Sequence, residues 1–116
     1  MLPAISVQND NKFNFYRIAE IADIKNGERA FFDVEGYQIV LFNIEGEYFA
    51  IGNVCSHDEG PLGDGELDGN LIICPRHGAQ FNIRTGKVLS LPAVVDIPCY
   101  PLRIDNGIIH IGIPSI

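Results

Sequence analysis

Apolar residues in this chain come in short runs broken by Gly, Asn and Asp, and no stretch holds a 3.6-residue period long enough for a persuasive helix. Gln38 to Asn43 and Tyr48 to Ile51 flank Glu45-Gly46, which reads as a hairpin. Leu71-Ile72-Ile73 is a short apolar strand ending at Cys74. Phe81-Asn82-Ile83 and Lys87-Val88-Leu89 flank Arg84-Thr85-Gly86, a second turn. Leu102-Arg103-Ile104 and Ile108 to Ile113 flank Asp105-Asn106-Gly107, a third and strong hairpin signal. Ile21 to Asn26 predicts a turn or short helix ending at Gly27. Many short strands, with 12 Gly and 7 Pro, predict an all-β fold: an antiparallel sandwich or a partly open barrel.

Two short boxes carry the chemistry. Cys55-Ser56-His57 and Cys74-Pro75-Arg76-His77 are separated by sixteen residues, and each pairs a thiol with an imidazole. Two Cys and two His form a competent tetrahedral set for zinc, but zinc ribbons and fingers usually pair Cys with Cys and His with His. A mixed C-x-H plus C-x-x-H set suits a two-iron centre better. Two converging loops can each give a thiolate to one iron and an imidazole to the other.

C-x-H, a spacer of this size and C-x-x-H-G resemble the Rieske [2Fe-2S] pattern, in which two His replace two Cys on one iron. The likeness continues through Gly63-Asp64-Gly65, Leu71 to Cys74, Phe81 to Gly86 and Leu91-Pro92-Ala93. Residues from about 30 to 112 resemble the small soluble Rieske-type ferredoxins that feed electrons to bacterial ring-hydroxylating oxygenases. The resemblance implies one Rieske-like domain over 1–116, with a small cluster-binding subdomain inserted at about 53–91. It implies one [2Fe-2S] cluster, with Cys55 and Cys74 on one iron and His57 and His77 on the other. The implied role is one-electron transfer by a non-catalytic component. Its partners would be an NAD(P)H-dependent flavoprotein reductase and a terminal oxygenase or other redox acceptor. One alternative is a Rieske subunit of another redox complex, such as a cytoplasmic nitrite reductase. Many members of that branch lack some ligands, whereas all four are present here. The other alternative is a zinc-binding structural module.

Departures from the respiratory, high-potential relatives carry their own implications. Those relatives add a Cys to each box, joined as a disulfide, where this chain has Gly60 and Arg76. Their Ser and Tyr hydroxyls near the cluster correspond to Ala79 and Phe81, which cannot donate a hydrogen bond to sulfur. Fewer donors, with Asp58 and Glu59 close by, stabilise the reduced state less, so a potential of about −150 mV is expected. Gly78 is expected to let the backbone turn closely and point its amide at sulfur. Pro92 resembles the proline loop that covers the cluster in relatives, Pro75 stiffens the second box, and Gly60-Pro61 and Gly63 are turn formers.

Bulk properties narrow the partners. At 116 residues the chain is expected to be one domain burying roughly two-thirds of its unfolded surface. A net charge of −7 argues against nucleic acid and favours a protein partner with a basic patch. Asp58, Glu59, Asp64, Glu66 and Asp68 read either as a solvated loop or as a docking face. Met1 to Asn14 lacks the basic start and apolar stretch of a secretory signal, and no run reaches a membrane span, so a cytoplasmic location is expected. Three cysteines argue against a disulfide framework. Cys99 reads as a small buried hydrophobe, with a reactive thiol as the alternative. His110, the one His outside the boxes, reads as a strand-surface or satisfied core residue. An oxygenase needs a separate iron held by two His and a carboxylate, which one spare His cannot supply.

Overall fold

The computed structural model describes residues 12–57 and 60–115. Asp58 and Glu59, and nearly all of the Met1–Asn14 stretch, lie outside the described residues. Among the described residues ten strands run in the order β1 (Phe13–Glu20), β2 (Arg29–Val34), β3 (Tyr37–Ile44), β4 (Glu47–Gly52), β5 (Glu66–Asp68), β6 (Leu71–Ile73), β7 (Gln80–Asn82), β8 (Cys99–Tyr100), β9 (Leu102–Asp105) and β10 (Ile108–Pro114). A 3-10 turn, Ile21–Asp23, stands where a turn or short helix was expected, and a separate turn reaches Gly27. None of the described helices is long and apolar enough to cross a membrane.

All pairings are antiparallel and form three sheets: β1-β10-β9, β2-β3-β4-β8 and β5-β6-β7. The second sheet is the middle layer, and β3 shows why. Ile39 and Leu41 join Ala50, Tyr100, Ile109 and Ile111 in one core, against the first sheet. Val40 and Phe42 point the other way, joining Ile51, Ile72, Phe81 and the two box cysteines in a second core. Both faces of β3 are therefore apolar, which is why Ile39 to Phe42 reads as a run and not as an alternation. The third sheet contributes Ile72 and Phe81 to this second core, so the two box cysteines pack with side chains of both that sheet and the middle layer.

The hairpins at Glu45-Gly46 and Asn106-Gly107 are present, each with two successive residues at positive φ, as two-residue turns between twisted strands require. The second expected hairpin is only half formed. Asn82 and Lys87 close the turn, but the returning arm makes a single bridge, Phe81 to Val88. The Val88 N–H is donated to the Asp96 carboxylate (2.9 Å), and Ile97 N–H to the Gly86 carbonyl (2.8 Å). Those two groups face away from β7, to which the arm bonds through Lys87 O and the Leu89 N–H, so a neighbouring segment pairs with the arm's other edge. Strands β1 and β2 add two elements the hydrophobic pattern did not reveal. A bulge between Arg17 and Ala19 shifts the phase of β1, while β2 packs a half-buried Phe32 against one core and lays Phe31 on the opposite side.

Candidate metal centre

The first box begins three residues beyond β4, whose Ala50 and Ile51 anchor the two cores. Cys55 is 1% exposed, and its N–H donates to the Gly60 carbonyl at 2.8 Å. The loop that follows is gripped from outside. Asn53 Oδ1 accepts the N–H groups of Leu62 (3.0 Å) and Gly63 (2.5 Å). On the carbonyl side, Arg29 Nη1 donates to Gly63 O (2.5 Å) and Gly65 O (2.7 Å), with its guanidinium over the Phe42 ring. The Gly63 peptides are thus held at both ends. Gly65 lies so close to the third sheet that a Cβ would come within 2.0 Å of the Ile73 carbonyl. Only glycine fits there.

The second box grows directly from β6, which runs through Ile73 into Cys74. Cys74 is also 1% exposed, and its N–H donates to the Ala79 carbonyl at 2.7 Å. The two loops therefore share one clip, from a cysteine amide to the carbonyl five residues on. Gly78 takes φ +79°, a left-handed conformation that glycine adopts without strain. Its amide, expected to face sulfur, instead donates to the Cys74 carbonyl at 3.0 Å. Closing the turn on itself satisfies that carbonyl, and the N–H is used up in doing so.

These loops bring the four chosen residues together in two tiers. Both thiols are buried in the apolar core formed with Leu62, Ile72 and Phe81, and none of the three cysteines forms a disulfide. His57 and His77 are exposed, with ring centroids 5.0 Å apart and planes at 88°. Among the described residues no three His, Cys, Asp or Glu side chains gather on a single-ion position. A donor set split two and two across a pair of metals calls for no such triple.

A strap from Ser90 to Asp96 borders both loops. Ser90 Oγ accepts the Gln80 N–H at 3.1 Å, and the Ser56 hydroxyl of the first box donates to the Val95 carbonyl. Pro92, matched to the relatives' proline loop, lies half-buried in this strap beside the buried Ala93. Leu91, Val94 and Val95 project outward, 75%, 73% and 60% exposed.

Residues 14–101 match the family described as Rieske [2Fe-2S] domain. The chain belongs to that family. It is 39% identical over 93 residues to the ferredoxin component of the naphthalene 1,2-dioxygenase/salicylate 5-hydroxylase systems of Ralstonia sp, covering 80% of this chain and 89% of that protein. It is 38% identical over 96 residues to the 3-phenylpropionate/cinnamic acid dioxygenase ferredoxin subunit of Escherichia coli strain K12, covering 82% and 90%. Among solved structures, the ferredoxin of carbazole 1,9a-dioxygenase from Nocardioides aromaticivorans IC177 superposes with a TM-score of 0.79 at 31% identity, covering 84% of this chain and 95% of that one.

The donors in this Rieske chain fit the family's cofactor. Buried thiols suit an iron placed on the core side, and solvent-facing imidazoles suit one placed at the surface. Ala79 and Phe81, the positions that lack hydroxyls, are both fully buried. Cys99 corrects an expectation: it is exposed, because on the two-residue β8 Tyr100 faces the core and Cys99 faces away. Its thiol donates to the Arg84 carbonyl (3.3 Å), and partial burial raises its pKa above the usual value, which opposes a reactive thiolate. His110 lies mid-strand in β10 between Arg17 and Arg103, far in sequence from both boxes. Asp64, Glu66 and Asp68 are exposed.

Sequence reasoning missed the residues that hold the loops. Asn53 stands two positions before Cys55 and was open to notice as an Asx former at a strand end. Arg29 had no local signal, since its partners lie 34 and 36 residues away.

Proposed function

We propose that this Rieske protein is a one-electron carrier that takes an electron from a reductase and delivers it to a terminal oxygenase, without catalytic chemistry of its own. The observation that carries this reading is the two-tier site: sulfur donors sealed in the core, with two adjacent imidazoles open to solvent. In this reading Cys55 and Cys74 hold one iron and His57 and His77 the other. When bound, the [2Fe-2S] cluster supplies a one-electron couple. The core residues around the thiols exclude water from the sulfur side. The histidine edges offer a partner the shortest exit for the electron. The ferredoxin components among its relatives support the assignment.

Neutral imidazoles leave the oxidised centre uncharged, so accepting an electron costs less than in an all-thiolate cluster. Buried Ala79 and Phe81 offer no hydroxyl donor to offset the added charge, which supports a potential near the low end of the Rieske range, about −150 mV. The domain is read as one unit over 1–116, with the β5-β6-β7 sheet and both boxes forming the insertion at about 53–91. The donor is read as an NAD(P)H-dependent flavoprotein reductase, and the setting as cytoplasmic, without a membrane or nucleic-acid partner. Net charge −7 supports steering towards a basic partner surface.

The test is anaerobic purification followed by iron and labile-sulfide analysis, electron resonance after dithionite and potentiometric titration. A brown protein with a low-average-g signal and a negative midpoint is expected. Colourless protein carrying zinc without sulfide would overturn the cofactor reading. A clearly positive midpoint would overturn the low-potential assignment.

A further inference from the structure

Ser56 separates a buried thiol from an exposed imidazole, so anything that fixes residue 56 limits how Cys55 and His57 can turn relative to each other. Its hydroxyl donates to the Val95 carbonyl, 39 residues away, in the strap that borders the site. That strap has little hydrophobic reason to stay in place. Its large side chains, Leu91, Val94 and Val95, are mostly exposed, and within it only the small Ala93 is buried. Polar bonds hold it instead: Ser90 Oγ accepts the Gln80 N–H at one end, and Asp96 accepts the Val88 N–H at the other. The Ser56 bond falls at Val95, beside the Asp96 end and two residues past the buried Ala93, and it is the bond that joins this end of the strap to the first box. Ser90 and Asp96 tie the strap to the strand and arm that follow the second box, and Ser56 ties it to the first.

We infer that Ser56 is a positioning residue: its hydroxyl latches the Leu91–Val95 strap to the first box, so that the two loops and the strap move as one body. Without the latch the strap opens locally, and the Cys55–His57 segment gains torsional freedom. The inference rests on the four-donor reading for its spectroscopic consequence, but its mechanical consequence stands without it.

The test compares the cluster-loaded wild-type protein with Ser56→Thr, which keeps the hydroxyl, and Ser56→Val, which matches threonine in shape but lacks the donor; Ser56→Ala serves as a smaller second deletion. Amide hydrogen exchange is followed by peptide, with the β9–β10 hairpin as an internal control for global opening. In the Val and Ala variants, exchange over 90–97 should rise about five-fold, the Boltzmann equivalent of one net hydrogen bond. Exchange in the hairpin should stay unchanged. The same variants should show altered g-values and a displaced midpoint potential, and Thr should restore both. Wild-type exchange over 90–97 in a cluster-loaded Val or Ala variant would overturn the latch while leaving the four-donor reading intact. A faster rate shared equally by the hairpin, or failure of Thr to recover the wild-type behaviour, would also overturn it. A wild-type protein without a Rieske signal would instead remove the four-donor reading.

Discussion

The two boxes share a donor pair and a backbone clip, yet they are held in different ways. The second is a local device: β6 leads in, Gly78 closes the turn on Cys74, and β7 leads out within nine residues. The first depends on distant residues. Arg29 comes from β2, Asn53 grips a loop ten residues on, and Gly65 rests against the Ile73 carbonyl. One loop is shaped by its own backbone, the other by the tertiary structure around it. The difference matters for a carrier, because its two tiers must keep one geometry through repeated gain and loss of charge.

The largest expected effect ignores this contrast. Cys55→Ser, Cys74→Ser, His57→Ala and His77→Ala should each abolish the native visible and electron resonance spectra, because neither loop can supply the other's donor. Should His110→Ala remove the spectrum while His57→Ala spares it, the ligand assignment falls.

The glycines should separate the loops by mechanism. Gly65→Ala forces a side chain into a backbone carbonyl and should cost about 3 kcal/mol or more in denaturant unfolding. Gly78→Ala meets no neighbour within 4 Å but must hold a left-handed φ, so a cost of about 1–2 kcal/mol is expected. Equal losses would mean that the second loop is as tightly packed as the first.

The grip on the first loop should be cooperative. Asn53→Ala strands two amides and should cost about 1–3 kcal/mol, with faster bleaching of the cluster by an iron chelator. Because Arg29 and Asn53 act on the same residue, Gly63, a double-mutant cycle with Arg29→Ala should show a coupling of at least about 0.5 kcal/mol. Strict additivity would separate the two contacts.

The smallest effect concerns the tie between the second loop's far side and the middle sheet, where Cys99 meets the Arg84 carbonyl and Arg84 pairs with Glu47 at 2.6 Å. The fold raises the Cys99 pKa by burial, so the protonated thiol is the favoured form. Its contribution is complete below the ordinary value of 9.0 and is lost as pH rises through the folded value. Tyr100, also raised by burial and then by Tyr37, adds a similar loss above 10.0. Cys99→Ala should keep the cluster signal, change neutral stability little, and remove only the earlier part of the alkaline decline in thermal unfolding.

What the chain's order of residues determined alone is the chemistry and the local turns. The identities and offsets of Cys55, His57, Cys74 and His77, and the turns at Glu45-Gly46 and Asn106-Gly107, rest on interactions within a few residues, and such signals are readable in one dimension. The run from Ile39 to Phe42 likewise announced a strand, though not that both its faces would be covered. Tertiary structure decided the rest. The pattern of β2 stayed illegible because Phe31 and Phe32 meet different neighbours on opposite faces, and β1 because a bulge breaks its alternation. Cys99 was misplaced because a two-residue strand is too short to show which side faces the core. The residues that aim the first box, Arg29 and Ser56, act across 34 to 39 positions. A hydrogen bond of that span leaves no periodic trace, because its partner is a backbone carbonyl that every residue possesses.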